Sequence, residues 1–375
     1  VPCSSVHIKE SGCRNPLNNT LKNACLSPGN SANCSILQSL KDMWKSQFMK
    51  YQPLGKSELR VSPQGLGCMG MSEWYGPTND EESLATLGLA VDSGLNFFDT
   101  ADVYGNGHNE TLVGRALQPV RHEVVLASKF GFLPNEAGLN GRPDYVFSAC
   151  DASLKRLGTD YIDLYYLHRI DPQVPIDETV GAMAELVSRG KVRYLGLSEV
   201  SAASLRKASS IHPITALQTE YSIWVRDIET DILACCRELD IAVVPYSPLG
   251  RGFLPGQLQS PEQFGEDDYR KDIPLFQDEN FENNLAVVNV LEDIASARHC
   301  TPAQVALAWL NAQGDDVFPI PGTKRRVYLK ENIESLRLSL SAEELDRINE
   351  ISRLVKGERK NESGMSLVDK RQASS

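Results

Sequence analysis

Apolar residues follow two alternating spacings along most of the chain. Short apolar runs, typical of buried strands, occupy 64–68, 95–98, 123–128, 161–167, 192–197, 214–218, 241–246 and 317–320. Between them, apolar residues recur every three or four positions, as on one helix face; examples are Val146, Cys150, Leu154 and Leu157. Parallel strands need crossover helices, and closing the sheet removes its exposed edges. The pattern predicts an α/β protein with the (β/α)8 TIM barrel fold.

The barrel domain is predicted to span 49–357, with a tail at 358–375. An N-terminal β-hairpin is predicted from Met49 onward, and extra helices follow the last strand. Two of the late helices begin with capping boxes, Thr301 with Gln304 and Ser341 with Glu344. The long irregular connection at about 248–280 is rich in Gly and Pro, and such loops usually cover a site or are disordered.

Residues 1–48 differ in character from everything after them. They are rich in Asn and Ser, contain Cys3, Cys13, Cys25 and Cys34, and carry glycosylation sequons at Asn18 and Asn33. A small disulfide-bearing or targeting segment is one interpretation. Because the stretch lacks an apolar signal-peptide core and shows little periodicity, we instead expect a disordered, dispensable extension.

Net charge, apolar runs and cysteine spacing argue against several classes of protein. The 375 residues carry a net charge of -11, which argues against general affinity for nucleic acid or an anionic membrane surface. No apolar run approaches the roughly 20 residues that a spanning helix needs. The nine cysteines show no zinc-site spacing, so no metal is expected. We therefore expect a cytoplasmic protein that acts on a small molecule; the sequence leaves its oligomeric state open.

A glycine motif near the start of the barrel resembles a dinucleotide-binding fingerprint. Residues 65–70 match the spacing G-x-G-x-x-G, which requires a strand before it and a helix at the third glycine. Pro63 interrupts the lead-in, and Pro77 delays the helix to about Asp80. We therefore place these residues on the first barrel strand, where Gly70 lets the backbone approach a ligand.

Side chains suited to proton transfer follow three successive predicted strands. The strand in the stretch 96–105 ends at Asp99, and Tyr104 lies on the next loop. The following strands end in Lys129 and His168. Strand-end Asp and loop Tyr are common individually. Their recurrence favours a catalytic site, because barrel enzymes place catalytic groups at the C-terminal ends of strands.

These four residues could act together on a carbonyl group. Tyrosine has an ordinary pKa near 10 and needs help to donate a proton at neutral pH. Lys129 is expected to lower the pKa of Tyr104, and Asp99 to hold Lys129 charged. His168 would aim the carbonyl oxygen toward the phenol.

At this point the sequence resembles the aldo-keto reductase family over about 49–357. The resemblance rests on 98–105, 128–130, 163–168, 196–198, 245–252 and 319–324. It implies an eight-stranded barrel that uses NADPH without a Rossmann fold, and an Asp-Tyr-Lys-His tetrad at Asp99, Tyr104, Lys129 and His168. Met49 resembles the natural start of family members.

The resemblance also implies the cofactor residues. Ser198 and Gln218 would bind the nicotinamide carboxamide, and Tyr246 would stack on its ring. The remaining implied positions are Gly70 and Met71, the pyrophosphate loop Ser247, Leu249, Gly250 and Arg251, the ribose-phosphate turn Gly322, Thr323, Lys324 and Arg325, and the adenine pair Glu331 and Asn332. The sequence departs from the family at Glu199, where many members have Asn, and at Tyr328, where many have Arg. On charge alone, the basic turn could be merely solvated.

Trp74, Tyr75, Arg169 and Trp224 fall on loops at the same rim and are predicted to wall the substrate pocket. Three functions are compatible with these residues. The first is NADPH-dependent reduction of aldehydes or ketones. The second is a nucleotide-binding regulatory subunit with slow turnover, and the third is a Schiff-base aldolase built on Lys129. The intact tetrad and the cofactor loops favour the first.

Overall fold

The computed structural model describes residues 49–134, 138–266 and 268–370. The predicted extension, 1–48, lies outside these residues. Two elements open the described chain, β1 (Gln52–Pro53) and β2 (Arg60–Val61), which pair antiparallel as the predicted hairpin.

A parallel sheet forms the barrel wall. Among the described residues its strands are β3 (Leu66–Gly67), β4 (Phe97–Asp99), β5 (Val125–Phe130), β6 (Ile162–Leu167), β7 (Val192–Ser198), β8 (Ile214–Glu220) and β9 (Ala242–Tyr246). Each strand pairs with the next in the chain. The register places Asp99 beside Ala127 and Ser198 beside Gln218, so successive strands end at one rim.

The eighth predicted strand, 317–320, closes the barrel without forming a regular ladder. On one side, the N–H groups of Phe318 and Ile320 donate to Val243 and Pro245 of β9. On the other side, the carbonyl of Pro319 accepts from Gly65. Pro319 and Pro321 lack N–H groups, so this side cannot complete a ladder with β3. The sheet is consequently a nearly closed barrel of seven strands with an irregular eighth segment.

Helices surround this wall. The α-helices in the described part are α1 (Asp80–Asp92), α2 (His108–Leu117), α3 (Pro143–Leu157), α4 (Ile176–Ser188), α5 (Ala202–Ile211), α6 (Ile232–Glu238), α7 (Asp278–Arg298), α8 (Pro302–Asn311), α9 (Arg326–Glu334), α10 (Ala342–Ser352) and α11 (Glu362–Ser366). Both predicted capping boxes are present, at the starts of α8 and α10. Among these helices, none is long and apolar enough to cross a bilayer.

The hairpin closes the end of the barrel opposite the catalytic rim. Leu54, Leu59 and Val61 belong to the same buried cluster as residues inside the barrel, including Phe97 and Phe318. Gly55, at the hairpin turn, has a φ of 54°, and a Cβ there would lie 2.4 Å from the carbonyl oxygen of Thr215. The turn therefore needs glycine, because the backbone packs directly against the beginnings of β8 and β9.

A buried carboxyl beside the barrel wall gives a prediction about stability. Burial, together with the nearby charge of Glu110, raises the pKa of Asp102 to about 8. Its Oδ1 atom has no hydrogen-bond partner among the described residues. Between about pH 4 and pH 8, the folded protein therefore holds a proton that the unfolded chain releases, so wild-type stability falls as the pH rises.

We expect Asp102→Asn to remove this pH-dependent cost. The amide keeps an acceptor for the N–H of Val103. The free energy of unfolding of the variant minus that of wild type should increase by about 2 kcal/mol from pH 5 to pH 7. Urea titration at each pH measures both values. A difference between the two proteins that stays constant with pH would show that Asp102 is ionised in the folded state.

Candidate active site

The barrel topology brings the four predicted catalytic residues together. Asp99 is the last residue of β4, and His168 directly follows β6. Lys129 is the penultimate residue of β5, because the strand continues one residue beyond the predicted end, to Phe130. Tyr104 begins a one-turn 3-10 helix after β4. The loop after β3 holds this turn in place, because the N–H of Gly105 donates to the Glu73 carboxylate over 3.0 Å.

Lys129 connects the acid and the phenol. Its fully buried ammonium donates to Asp99 Oδ1 over 2.5 Å and to the Thr100 carbonyl over 2.9 Å. The third donor reaches Tyr104 Oη over 3.1 Å. All three ammonium hydrogens are therefore used, which fixes the cation directly beside the tyrosine hydroxyl.

Burial and nearby charges shift the pKa values of Lys129 and Tyr104 in opposite directions. Burial disfavours the ammonium, but the charge of Asp99 and the interactions with Tyr104 together outweigh it, so the pKa of Lys129 is raised and the side chain stays positive. For Tyr104, burial is the largest influence and raises the pKa, while Lys129 opposes it. Lys129 thus lowers the pKa of Tyr104 as predicted, but burial has the larger effect and the pKa lies above its ordinary value. Lys129 limits the rise that burial causes.

His168 completes the group as a neutral imidazole. Its ring lies edge-on to the Tyr104 ring, with centroids 5.9 Å apart, and edge-on to Phe132 at 4.9 Å. Burial, followed by the positive charges of Arg169 and Lys129, holds the pKa of His168 well below its ordinary value. Nδ1 is buried without a partner among the described residues, which leaves Nε2 as the nitrogen that can reach a bound molecule.

A cavity of about 940 Å³ extends from these residues across the barrel mouth. This is the size of a cavity that holds a large organic ligand. Its wall includes the predicted residues Gly70, Trp74, Tyr75, Asp99, Tyr104, His168, Arg169, Ser198, Gln218, Tyr246, Ser247, Leu249, Arg251, Gly322, Thr323, Lys324, Arg325, Glu331 and Asn332. Most of the predicted catalytic and cofactor positions therefore border one continuous space.

Four predicted residues lie behind this wall. Lys129 is covered by Tyr104 and acts through it, and Met71 is fully buried one position beyond Gly70. Gly250 is also buried, and a Cβ there would lie 2.8 Å from the indole of Trp224. Trp224 itself is stacked on Phe253, with ring centroids 4.5 Å apart, so it supports the loop after β9 from below and does not line the cavity.

Two loops meet over the cavity. The hydroxyl groups of Tyr75 and Tyr269 are 2.7 Å apart, and the ring of Trp74 lies edge-on to Tyr269 at 5.3 Å. Tyr269 belongs to the long connection after β9, for which the sequence left two alternatives, covering a site or disorder. The structure thus shows the connection and the loop after β3 joined by side chains above the cavity.

Lys324 has a different environment from the predicted one. Its ammonium donates to the backbone carbonyls of Tyr75, Gly76 and Pro77, over 2.6, 3.0 and 2.9 Å. An ammonium has three donors, so none is left for a phosphate. Lys324 therefore anchors the loop after β3, whereas the exposed Arg325 has no ion-pair partner in the described part of the chain.

The nicotinamide-site candidates already contact the catalytic residues. Gln218 Nε2 donates to Asp99 Oδ2 over 2.7 Å, and Ser198 Oγ accepts from Arg169 over 3.0 Å. Glu199, where relatives often have Asn, points away from the cavity. Its carboxylate is buried and pairs with Arg359 over 2.7 Å.

Sequence reasoning missed several residues of the cavity wall. They include Phe132, Tyr269, Arg270 and Lys360. Lys360 belongs to the predicted tail, where no periodic pattern indicated a role. Glu199 was the available signal, because a buried carboxylate at that position requires a cationic partner from elsewhere in the chain.

Comparison with known proteins agrees with this geometry. The Aldo/keto reductase family model matches residues 64–353. An NADP(+) aldo-keto reductase of Schizosaccharomyces pombe is 47% identical over 295 residues, which are 76% of this chain and 87% of that protein. Two crystal structures are also similar. One is a thermostable aldo-keto reductase in complex with the inhibitor epalrestat, at 32% identity and TM-score 0.67, covering 81% of this chain and 100% of that one. The other is a glycerol dehydrogenase of Gluconobacter oxydans, at 30% identity and TM-score 0.75, covering 82% and 97%.

A TIM barrel with an Asp-Tyr-Lys-His group at its rim, beside a cavity large enough for a cofactor, is the arrangement expected of a barrel oxidoreductase. The chain belongs to the aldo-keto reductase family. It is an NADP-dependent oxidoreductase, and NADPH is its cofactor.

Proposed function

We propose that this protein reduces aldehyde or ketone carbonyls to alcohols, with Tyr104 as the proton donor. The observation that carries the proposal is the Lys129 ammonium, held between Asp99 Oδ1 at 2.5 Å and Tyr104 Oη at 3.1 Å in a buried site. A fixed cation beside a phenol stabilises the phenolate that forms when the proton leaves.

The cavity residues fit the nicotinamide cofactor. Arg251 and Arg325 supply positive charge along the cavity, and Gly322 leaves its wall open, since a Cβ there would meet only the Gly67 carbonyl at 3.4 Å. We assign the carboxamide contacts to Ser198 and Gln218, and the ring contact to Tyr246. When bound, the reduced cofactor supplies a hydride to the carbonyl carbon.

The chain's own groups act on the carbonyl oxygen. Neutral His168 donates a hydrogen bond from Nε2, which orients the oxygen and polarises the carbonyl. Tyr104 Oη then gives its proton to that oxygen, and the ammonium of Lys129 stabilises the resulting phenolate. Phe132 and Trp74 line the cavity and exclude water from the reacting groups.

The alternatives are less well supported by these contacts. A regulatory subunit with slow turnover has no need of the complete Asp99–Lys129–Tyr104 chain of hydrogen bonds. A Schiff-base aldolase needs a deprotonated lysine, whereas Asp99 raises the pKa of Lys129.

The test is to mix purified protein with NADPH and a panel of aldehydes and ketones, and to follow loss of the reduced-nicotinamide absorbance. We expect turnover with several members of the panel. Tight NADPH binding without turnover would favour the regulatory subunit. Borohydride trapping of a substrate on Lys129 would favour the aldolase.

A further inference from the structure

The C-terminal segment 358–369 is docked on the catalytic rim. The Arg359 guanidinium donates to both carboxylate oxygens of Glu199, over 3.0 and 2.7 Å. Ten residues later, Asp369 accepts from the N–H and hydroxyl of Ser201 over 3.1 and 2.9 Å. These two attachments fix the segment beside the ends of β7 and β8.

The ion pair between Arg359 and Glu199 is buried and costly to break. Both partners are almost fully excluded from solvent, with side chains 7% and 0% exposed. Burial opposes ionisation of Glu199, but Arg359 outweighs it and holds the pKa of the carboxyl far below its ordinary value. Breaking a buried pair of this kind typically costs about 3–5 kcal/mol, so the segment stays in place.

This docking places Lys360 in the wall of the active-site cavity. Lys360 borders the same space as Tyr104 and His168. Its Nζ donates to Tyr246 Oη over 2.8 Å and lies 3.6 Å from Glu220 Oε2, beyond hydrogen-bond distance. An ammonium carries three donors. One hydrogen bond therefore leaves donors that can serve a molecule in the cavity.

The charges around Lys360 do not balance. The buried carboxylates at this side of the cavity, Glu199 and Glu220, are shared by Arg251, Arg359 and Lys360. Arg359 also pairs with the exposed Asp227 over 3.0 Å, so three carboxylates face these three cations. A further cation, Arg169, donates to two neutral groups, the His168 carbonyl at 2.5 Å and Ser198 Oγ at 3.0 Å, and forms no ion pair with a described residue. Burial, with the repulsion from Arg169, lowers the pKa of Lys360 to about 8, so it remains largely protonated at neutral pH.

From this surplus of positive charge beside the reacting groups we propose that the enzyme selects carbonyl substrates that carry a carboxylate, and that Lys360 and Arg169 bind that carboxylate. The carbonyl oxygen then lies at Tyr104 and His168. An anion here supplies acceptors for the free donors and relieves the repulsion between the two cations.

This inference rests on the proposed function, and the test separates the two. The probes are the three formylbenzoates, with the carboxylate ortho, meta or para to the aldehyde, and their methyl esters. Each compound is assayed for kcat and KM with NADPH. Its dissociation constant is also measured on the enzyme with NADP(+), where no reduction takes place.

We expect at least one formylbenzoate to exceed its ester about tenfold or more in kcat/KM and in affinity. Lys360→Met keeps the length of the side chain and leaves Glu220 paired with Arg251, so the fold should persist. The variant should bind the favoured acid about 10–100-fold more weakly, as expected for loss of a charged hydrogen bond. Its affinity for the ester and for NADPH should change little. Lys207→Met, which removes an exposed lysine paired with Asp177, is the matched control.

Each outcome decides a separate point. Acids that bind no better than esters would overturn the inference, as would equal losses for acid and ester in Lys360→Met, because Lys360 would then only support the fold. Preferential acid binding without reduction of any of the six aldehydes would support the anion site and contradict the proposed function.

Discussion

Tyr104→Phe should abolish nearly all carbonyl reduction and leave NADPH affinity unchanged. The phenol hydroxyl is the proton donor in the proposed reaction, and loss of a general acid usually costs 10²–10⁴-fold in rate. The ring remains in place because its contacts with His168 do not involve the hydroxyl. The measurement is kcat with one good substrate, together with NADPH affinity from quenching of tryptophan fluorescence.

A tyrosine far from the cavity provides the control. Tyr51 lies before the hairpin at the opposite end of the barrel, where its hydroxyl donates to the Gly94 carbonyl over 2.9 Å. Tyr51→Phe should keep full activity. Retention of more than about a tenth of the activity by Tyr104→Phe would assign the proton to another donor.

Arg325→Ala should remove most of the preference for NADPH over NADH. The two cofactors differ by one phosphate on the adenosine ribose. Arg325 lines the cavity on the turn that we predict to bind this phosphate, and it forms no ion pair among the described residues. A charged hydrogen bond contributes roughly 1.5–3 kcal/mol, which is about ten- to a hundredfold in affinity. We therefore expect the NADPH Michaelis constant to rise by that factor and the NADH constant to stay unchanged.

Lys324 should behave differently from its neighbour. The ammonium of Lys324 is bound to the carbonyls of 75–77, so Lys324→Met should loosen the loop over the cavity. The affinities for NADPH and NADH should then fall to a similar degree. Arg115→Ala, an exposed substitution on α2, is the control for surface charge. If Lys324→Met impaired NADPH alone, the lysine would have to leave the loop and bind the phosphate.

The meeting of the proposed catalytic residues was predictable because parallel topology alone brings strand ends together. Once the apolar runs are assigned to successive parallel strands, Asp99, Lys129 and His168 must meet at one rim, whatever the helices between them contain. The hydrogen bonds at Lys129 then follow from burial, which requires each of its donors to find an acceptor.

Other positions depended on loop paths that one sequence does not determine. Lys324 follows the last barrel segment as expected, but the path of 75–77 brings three carbonyls within its reach. Trp224 packs beneath the loop after β9, because Phe253 offers its indole a buried stacking surface. The eighth strand is irregular because Pro319 and Pro321 remove the N–H groups on one side.

The tail shows the same limitation most clearly. Nothing in the spacing of 358–369 places it on the rim, since its position depends on long-range contacts, of Arg359 with Glu199 and of Asp369 with Ser201. The sequence showed Glu199 as a departure from the family, but not that its carboxylate is buried or that Arg359 pairs with it. Three-dimensional contacts were needed to connect the two.

The most direct test of carbonyl reduction at this site is the fate of the two hydrogens that are added. The protein is incubated in ordinary water with an aldehyde substrate and NADPH carrying deuterium at both positions of the nicotinamide C4 atom, and the product is analysed by mass spectrometry and NMR. We expect an alcohol with one deuterium on the former carbonyl carbon, and we expect Tyr104→Phe to form it at least a hundred times more slowly. Product without deuterium on that carbon, or NADPH binding with no alcohol formed from any aldehyde or ketone, would contradict the proposed function.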